Sequence, residues 1–591
     1  MPTKIYSMKK TLLSLAVVAS GFMAQAQVIC AGISPANVVG NHIHTWADPA
    51  GGDWATPDYF IPGNFIVDTL AMVEDGTPGT NPQGNPISQE GCNALINGPA
   101  VTGKIAVIYR NTCEFGAKAL NAQNAGAVGV IIINRDDEAI AMGGGADGLS
   151  VTIPVFMVSS STGTLLTNTM ATQSVVMFLG NKTGAYQNDV GASADQTMIA
   201  PFGGATTMLD NGFNLGLQLY NFGQVTQSNL TVTANIDGPS GNVYNQVINA
   251  PTLDMGDTLS IFNGNAYEFP PFDLGGVGNY PAGDYTLTYT LDMGITDDSD
   301  FDNVLTSTFT LNTDKITLAR MSGGQAISNS YPSNNTTEYQ GCMMFQNPNA
   351  SVLAMEGVTF TPFADTTVAP LAGEEIFINF YEWNDSWVDL DDPGPATNND
   401  WFTALDLIAF ETYYPASNSE SGLPQYVPFT TPFQLVDDQR YLVCLQTFST
   451  EVGFGYDNGL NYSGNVGIVR QPVSPVHVDG TWYTGGWSGV SAPSLTLHVF
   501  DAAELGLSEV TTLEAKAFPN PATDAVTISI NTTGAATLTV TDVSGKVAMT
   551  DNITFDNNYA KVNIDGLAPG VYVFNVALEN GLSSQFNIVK K

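Results

Sequence analysis

The chain has 591 residues, of which 43% are hydrophobic, so it can bury the cores of about three to five domains. Its formal net charge is −39, from 17 Lys and Arg against 56 Asp and Glu. A surface of this sign repels nucleic acid and anionic membranes, which disfavours both as partners. The hydrophobic fraction is too high for a disordered chain.

Residues 1–26 have the pattern of a secretory signal peptide. A basic start with three lysines precedes the apolar run Leu12–Met23, and a small-x-small triplet predicts cleavage after Ala26. The apolar run is too short to span a bilayer. No later apolar run is long enough to span one either. We therefore expect an exported chain without a transmembrane segment.

The following segment, Val28–Glu90, is rich in Gly, Pro and Asp. Its two histidines, His42 and His44, alternate and would therefore share one face of a strand. With Asp48 or Asp53 they would make a metal site. The favoured interpretation is that they are polar residues on a solvent-facing strand.

A strand, a helix and a strand are predicted next. The β-branched runs Lys104–Arg110 and Val128–Asn134 indicate buried strands, and Glu114–Gly126 is an Ala-rich helix that ends at a glycine. This βαβ pattern predicts that the two strands are parallel. A glycine loop, Gly143–Gly145, then leads to a third apolar run, Ile153–Ser159.

Several residues of this unit carry a family resemblance: Gly103-Lys104-Ile105, Arg110, Cys113, Phe115, Lys118, Asn121-Ala122-Gln123, Ala125-Gly126-Ala127, Gly129-Val130-Ile131, Met142-Gly143-Gly144 and Ile153-Pro154. With this spacing, residues 91–163 resemble the protease-associated (PA) domain. The resemblance implies a small α/β lid or interaction domain without catalytic residues of its own. It also implies that the preceding segment adds edge strands and loops, which gives a domain over 27–190.

The resemblance to PA domains also bears on the cysteines. Related domains often carry a disulfide where Cys92 and Cys113 stand, and export favours such bonds. Cys342 and Cys444 are predicted as a second disulfide, with two free thiols as the alternative, and Cys30 is left over. The predicted contact site of the domain is its glycine loop, formed by Met142, Gly143, Gly144 and Gly145.

Residues 200–314 alternate strand-like runs with turns, which predicts a seven-stranded antiparallel sandwich. The Asn211-Gly212 turn, the Pro281–Tyr285 entry and a late acidic loop resemble the immunoglobulin-like, adhesion-type repeats of bacterial surface proteins. In that loop Asp298, Asp300 and Asp302 alternate in a way that suits calcium. An EF-hand is rejected because Asn303 and Phe309 occupy its glycine and glutamate positions. An ordinary acidic turn is the alternative.

The strand-like runs of residues 315–501 predict a second sandwich, which is larger, more aromatic and jelly-roll-like. Five tryptophans lie here, and they either stack on sugars at an exposed face or fill the core: Trp383, Trp387, Trp401, Trp482 and Trp487. The acidic run 385–400 is a second candidate calcium loop, with Asp385, Asp389 and Asp391 as ligands.

After a linker at 502–514, residues 515–591 predict a small β-sandwich. Four features occur in a fixed order there: Phe518-Pro519-Asn520-Pro521, the Asp542–Lys546 turn, Leu567–Tyr572 and the final Ile588–Lys591. Together they resemble the type A sorting domain of the type IX secretion system, although Phe518 stands where Tyr is commoner. The resemblance implies passage through the periplasm and across the outer membrane, with the secretion machinery as a partner.

The fold class is therefore mainly β and multidomain: an α/β PA domain, an immunoglobulin-like sandwich, a jelly-roll-like sandwich and a C-terminal sorting domain. No HExxH or GxSxG motif occurs, so no catalytic residue is nominated. We expect a secreted or cell-surface, non-catalytic protein of the binding or adhesion type, in which the PA domain contacts protein and the ligand is protein or polysaccharide. We expect that the protein requires no cofactor. Calcium is the one candidate for a bound ion. The alternative is a secreted peptidase or glycan-acting hydrolase with its site in 315–501, gated by the PA domain.

Overall fold

The computed structural model describes residues 28–136, 139–273, 280–331, 337–392, 398–486, 492–505, 515–530, 532–543, 545–578 and 583–591. Strands are far more abundant than helices, and the chain divides into two compact units, 1–500 and 501–591. The predicted signal peptide, its cleavage site at Ala26, Trp487 and most of the predicted linker lie outside the described residues. Among the described helices, none is long and apolar enough to cross a membrane.

The N-terminal part of the first unit contains one mixed sheet flanked by helices. Its elements are β1 (Val28–Ser34), β2 (Gly40–Asn41), β3 (His44–Trp46), β4 (Phe65–Met72), α1 (Gly98–Val101), β5 (Ile105–Tyr109), α2 (Phe115–Asn124), β6 (Gly129–Ile133), β7 (Val155–Val158), α3 (Ser160–Met170) and β8 (Val176–Asn181). The eight strands are ordered β2-β1-β8-β4-β5-β6-β7-β3. The segment before the PA motif thus supplies both edges of the sheet.

The predicted βαβ unit is present. Strands β5, β6 and β7 pair in parallel, and β5 and β6 are almost wholly buried, as continuous β-branched runs require. Helix α2 buries Ala119 and Ala122 against the sheet, and Gly126 ends it with a φ of 89°, a conformation that glycine adopts without steric cost. The rigid sheet and helix fix the position of the loop that follows β6.

The middle of the chain, 190–312, forms two layers over a common core. Its strands are β9 (Val190–Thr197), β10 (Gly204–Thr206), β11 (Leu217–Asn221), β12 (Thr231–Gly238), β13 (Gly241–Asn249), β14 (Thr258–Ile261), β15 (Gly283–Asp292) and β16 (Val304–Asn312). One layer is the sheet β14-β11-β9, and the other contains β13-β12-β15-β16-β10. The sequence predicted a wholly antiparallel sandwich. This prediction is wrong at one pair of strands, because β10 runs parallel to β16.

Residues 315–501 form the second sandwich. Its elements are β17 (Lys315–Thr317), β18 (Met321–Ser322), β19 (Gln325–Ala326), β20 (Tyr339–Phe345), β21 (Leu353–Phe360), β22 (Pro362–Ala364), β23 (Ile376–Trp383), β24 (Leu405–Tyr413), β25 (Gln425–Gln434), β26 (Tyr441–Thr447), β27 (Val452–Phe454), β28 (Tyr456–Asp457), α4 (Ser463–Val469), β29 (Val476–Val478), β30 (Thr481–Tyr483), β31 (Ala492–Pro493) and β32 (Leu495–Asp501). A six-stranded sheet, β24-β23-β26-β20-β29-β30, provides one layer of it.

The two sandwiches share one sheet of nine strands, β13-β12-β15-β16-β10-β17-β32-β21-β25. The predicted boundary between residues 314 and 315 lies inside that sheet, between β16 and β17. Strand β10 joins the halves, since it pairs with β16 on one side and with β17 on the other. A continuous backbone ladder therefore connects two hydrophobic cores.

The second unit is a small β-sandwich with its own core. Its strands are β33 (Ala515–Phe518), β34 (Ala525–Ile530), β35 (Gly534–Asp542), β36 (Val547–Phe555), β37 (Tyr559–Asn563), β38 (Gly570–Leu578) and β39 (Ser583–Lys590). They form the sheets β33-β34-β37 and β36-β35-β38-β39. The alternating burial of β34 and β38 explains their period-2 sequence pattern.

Candidate interaction surface of the PA domain

The predicted contact loop after β6 is held in place by a residue from the N-terminal segment. The Trp54 side chain is buried, and its indole Nε1 donates to the Met142 carbonyl oxygen at 2.8 Å. Met142 is itself buried, so the start of the loop is anchored in the core. An indole that fills the core and satisfies a backbone carbonyl fixes both position and direction.

Two carboxylates hold the backbone of the same loop. The Gly144 amide donates to Asp53 Oδ2 at 2.7 Å, and the Ala146 amide donates to Glu114 Oε2 at 3.1 Å. A Cβ atom added to Gly144 would lie 2.0 Å from the Asp53 carbonyl oxygen. Glycine is therefore required at this position by the close approach of two backbones.

Helix α2 fixes the far end of the loop. Gln123 donates to the Ser150 carbonyl oxygen at 3.0 Å and accepts from the Thr152 amide at 2.7 Å. Between the fixed points, Gly143 and Gly145 are exposed, and 66% of Leu149 is exposed. The result is a constrained surface that offers backbone groups beside one apolar side chain. We call residues 142–152 the contact loop.

The strand region beneath this surface is fixed by a disulfide and a buried lysine. Cys92 and Cys113 are bonded across 21 residues. Lys118 of α2 is fully buried, and its Nζ donates to the Glu90 and Tyr109 carbonyl oxygens at 2.7 and 3.2 Å. Burial lowers the pKa of Lys118 to about 8, although the charge of Glu90 opposes this. This lysine of the PA motif thus has a structural role.

The two N-terminal histidines use their ring nitrogens on the backbone. His42 Nε2 lies 3.0 Å from the Val38 carbonyl oxygen, and His44 has ring nitrogens 2.7 and 3.2 Å from the carbonyl oxygens of His42 and Val28. Asp53, one of the carboxylates considered as their metal partner, bonds the contact loop instead. Burial lowers the pKa of both imidazoles, which favours their neutral form.

The two histidines of the second sandwich, His477 and His498, contact different residues. His477 Nδ1 is 3.6 Å from Glu338 Oε1, and its ring packs on Trp482. His498 Nε2 is 2.7 Å from Thr359 Oγ1. Burial lowers the pKa of each ring.

The first acidic loop uses its carboxylates internally. Asp298 accepts a hydrogen bond from the Asn188 amide at 2.8 Å, while Asp300 and Asp302 lie in a short 3₁₀-helix, Asp300–Asp302. Asp302 forms an ion pair with Lys182 at 2.8 Å. In the described residues, no group of three or more His, Cys, Asp or Glu is arranged to hold a metal ion. Calcium binding remains a prediction, for which a lower melting temperature under chelation is the test.

The second acidic run is likewise engaged by its neighbours. Asp385 accepts from the Ala404 amide at 2.9 Å, Asp389 accepts from the Asp391 amide at 2.8 Å, and Asp391 forms an ion pair with Arg470. Calcium binding at this run also stays a prediction.

The tryptophans of the second sandwich are not a sugar platform where they are described. Trp383, Trp387, Trp401 and Trp482 are each less than 10% exposed and cluster against the second disulfide, Cys342–Cys444. The two cysteines face each other on β20 and β26. These four residues are therefore buried, as the core interpretation predicts, in a cluster separate from the main core of the second sandwich.

Comparison with known proteins finds two family models in the chain. The model of the PA domain matches residues 70–166, and that of the secretion system C-terminal sorting domain matches residues 516–591. Among curated proteins, the chain is 35% identical over 130 residues to ER degradation-enhancing alpha-mannosidase-like protein 3 of Xenopus laevis, and 38% identical over 84 residues to that of Homo sapiens. The alignments cover 20% and 13% of this chain, and only 14% and 9% of the length of those relatives.

Solved structures give weaker similarities. A zinc aminopeptidase from Bacillus subtilis is 20% identical, with a TM-score of 0.17 over 28% of this chain and 36% of that one. A tetra-tandem repeat of a large adhesion protein is 10% identical, with a TM-score of 0.13 over 76% of this chain and 84% of that one. Such scores support no inference about activity.

The first matched region lies in the N-terminal part of the first unit and the second lies in the second unit, and the sorting domain accounts for the chain's destination. Both agree with the motifs found in the sequence and with the folds described above. The chain carries a PA domain and a C-terminal type IX sorting domain, and it is exported to the cell surface or the extracellular space.

Proposed function

We propose that the exported protein is a non-catalytic binding protein whose PA domain holds a polypeptide partner at the contact loop. The observation that carries this proposal is the anchoring of a glycine-rich, surface-exposed loop at three points: Trp54, Asp53 with Glu114, and Gln123. Loops that bind without first losing conformational entropy bind more tightly, so such anchoring favours recognition.

The chemistry of the loop favours an extended polypeptide. Exposed glycines leave backbone donors and acceptors open to a partner's backbone, and Leu149 offers an apolar contact. Asp53, Glu114 and Asp147 place negative charge around this surface, in a chain that is strongly acidic overall. A neutral or basic segment with an apolar side chain is therefore the expected partner.

The proposal is tested with an array of short synthetic peptides that differ in net charge and leucine content. The wild-type protein should retain neutral and basic peptides that contain leucine. Leu149→Ala should weaken this binding about tenfold, as expected for the loss of one apolar contact. Ile295→Ala is the matched control, because Ile295 is 56% exposed in the neighbouring sandwich. Equal binding by wild type and Leu149→Ala would overturn the proposal.

A further inference from the structure

A buried lysine lies between two carboxylates at the junction of the PA sheet and the first sandwich. Lys182 directly follows β8, and its Nζ lies 2.9 and 2.8 Å from Oδ1 and Oδ2 of Asp302. The same Nζ lies 2.8 Å from Asp189 Oδ1. Because Nζ touches both oxygens of Asp302, their common carbon Cγ lies within the roughly 3–3.5 Å at which positioned groups react.

The cluster is closed to water on the side of the lysine. The side chains of Lys182 and Asp189 are 0% exposed, and that of Asp302 is 15% exposed. The rings of Phe222 and Phe301 lie 4.9 and 4.8 Å from Nζ. In a site of this kind a reaction that releases water is not reversed by bulk solvent.

The second carboxylate is not explained by the ion pair alone. Oδ1 of Asp189 lies 2.8 Å from the ammonium nitrogen, and within the described structure the buried Oδ2 has no hydrogen-bond partner. A buried ammonium needs one counter-charge, and Asp302 already provides it. Asp189 is therefore an additional acidic group in contact with the nitrogen, which is what a proton-transfer group requires.

The electrostatics allow a proton to move within the cluster. Burial raises the pKa of Asp189 to about 8, despite the opposing charge of Lys182. Burial also raises the pKa of Asp302, while the pKa of Lys182 is lowered by burial but raised more by its two carboxylate neighbours. Both carboxylates thus have more affinity for a proton than exposed aspartates do.

We propose that Lys182 and Asp302 condense into an intramolecular amide bond, with Asp189 as the proton-transfer group. Asp189 takes one proton from the ammonium, and the neutral amine attacks Cγ of Asp302 after its carboxylate turns its face to Nζ. The C–N bond forms and one Cγ–O bond breaks. The departing oxygen takes the proton held by Asp189 and a second proton from the nitrogen, and it leaves as water. The amide nitrogen keeps one hydrogen, so atoms and charges balance without any co-reactant.

The bond would join two parts of the fold that sequence separates by 120 residues. Lys182 continues the PA sheet, and Asp302 precedes β16 of the shared nine-stranded sheet. A covalent link at this point would keep the PA domain attached to the sandwich after local unfolding. It would also close a long loop, which restricts the unfolded chain as a disulfide does.

Intact-mass spectrometry of the purified, reduced protein tests the proposal without any variant. The measured mass should be lower, by the mass of one water molecule, than the mass calculated from the amino-acid sequence of the purified chain. Digestion should yield a branched peptide that joins the segment around Lys182 to the segment around Asp302. A mass equal to that of the sequence, or a branch at another lysine, would overturn the proposal.

Two variants then separate the roles of the residues. Asp302→Ala should have the full mass calculated for its own sequence, without loss of water, because the electrophilic carbon is gone. Asp189→Asn keeps the shape of the side chain, and it should leave most of the protein without the bond after the same incubation. Complete bond formation in Asp189→Asn would contradict its assignment, and loss of water in Asp302→Ala would contradict the bond itself. Glu338→Gln, in the second sandwich, is the control and should keep the wild-type mass deficit.

Discussion

The indole Nε1 of Trp54 donates a hydrogen bond to the carbonyl oxygen of Met142 at 2.8 Å, across 88 residues of chain. Trp54 comes from the segment before the PA motif, whereas Met142 begins the contact loop. The motif alone therefore does not define the loop's conformation, because its anchor lies outside the motif. This dependence makes the N-terminal segment part of the proposed binding surface.

The first prediction concerns that anchor. Trp54→Phe should destabilise the protein by about 1–3 kcal/mol, since it leaves a buried carbonyl oxygen unpaired and a gap in the core. Hydrogen exchange of residues 142–152 should become faster than in the wild type, while exchange in β6 changes less. Unchanged exchange in the loop would show that Trp54 does not hold it.

The second prediction compares the two disulfides. Cys92–Cys113 closes 21 residues, and Cys342–Cys444 closes 102. On the loop-entropy model, removing the longer link should cost about 4–5 kcal/mol and the shorter about 3 kcal/mol. Paired Cys→Ser variants in chemical denaturation measure both. If removing the shorter link costs as much stability as removing the longer one, or more, then effects in the folded state outweigh loop entropy.

The third prediction is a pH dependence that originates at Lys118. Burial lowers its pKa to about 8 in the folded protein, whereas in the unfolded chain its pKa is near the ordinary lysine value of 10.5. The unfolded state therefore binds more protons between these pH values, so the contribution of Lys118 to stability rises with pH by up to about 1.4 kcal/mol per unit.

Lys118→Met removes this contribution. The stability difference between wild type and Lys118→Met, measured by denaturation at pH 7 to 10, should shift in favour of the wild type as pH rises above 8. Lys104→Met, at a half-buried position of the same domain, serves as control. A constant difference across the range would contradict the assigned cause.

The fourth prediction concerns the sorting domain. Deletion of Lys516–Lys591 removes a unit with its own core, so the rest of the chain should fold and accumulate in the periplasm. Cell fractionation with immunodetection measures this distribution. Surface display of the truncated protein at the wild-type level would show that another part of the chain directs export.

The sequence predicted the local elements of the PA domain well because its signals are local. β-Branched runs placed β5 and β6, and an Ala-rich stretch that ends at Gly126 placed α2. Family motifs with fixed spacing located the PA domain, the sorting domain and the pair Cys92–Cys113. Such features depend on residues close together in sequence.

The parts that the sequence did not predict depend on distant contacts. Nothing local shows that β10 pairs with both β16 and β17, so the continuous sheet across residue 314 was missed. Tryptophan composition did not distinguish an exposed platform from the buried cluster at Cys342. The ion pair between Asp302 and Lys182 was missed because the two residues lie 120 residues apart in sequence, and calcium binding at Asp302 stays a prediction. The one available signal was the scarcity of basic residues after Lys182.

The central claim is that the exported protein binds its partners without transforming them. Its most direct test is incubation of the purified protein, with the signal peptide removed, with casein and with a panel of glycans, followed by mass spectrometry of the products. We predict that every substrate is recovered intact, including any that the protein retains. Cleavage that follows the protein through successive purification steps would contradict the claim and would support a hydrolase site in residues 315–501.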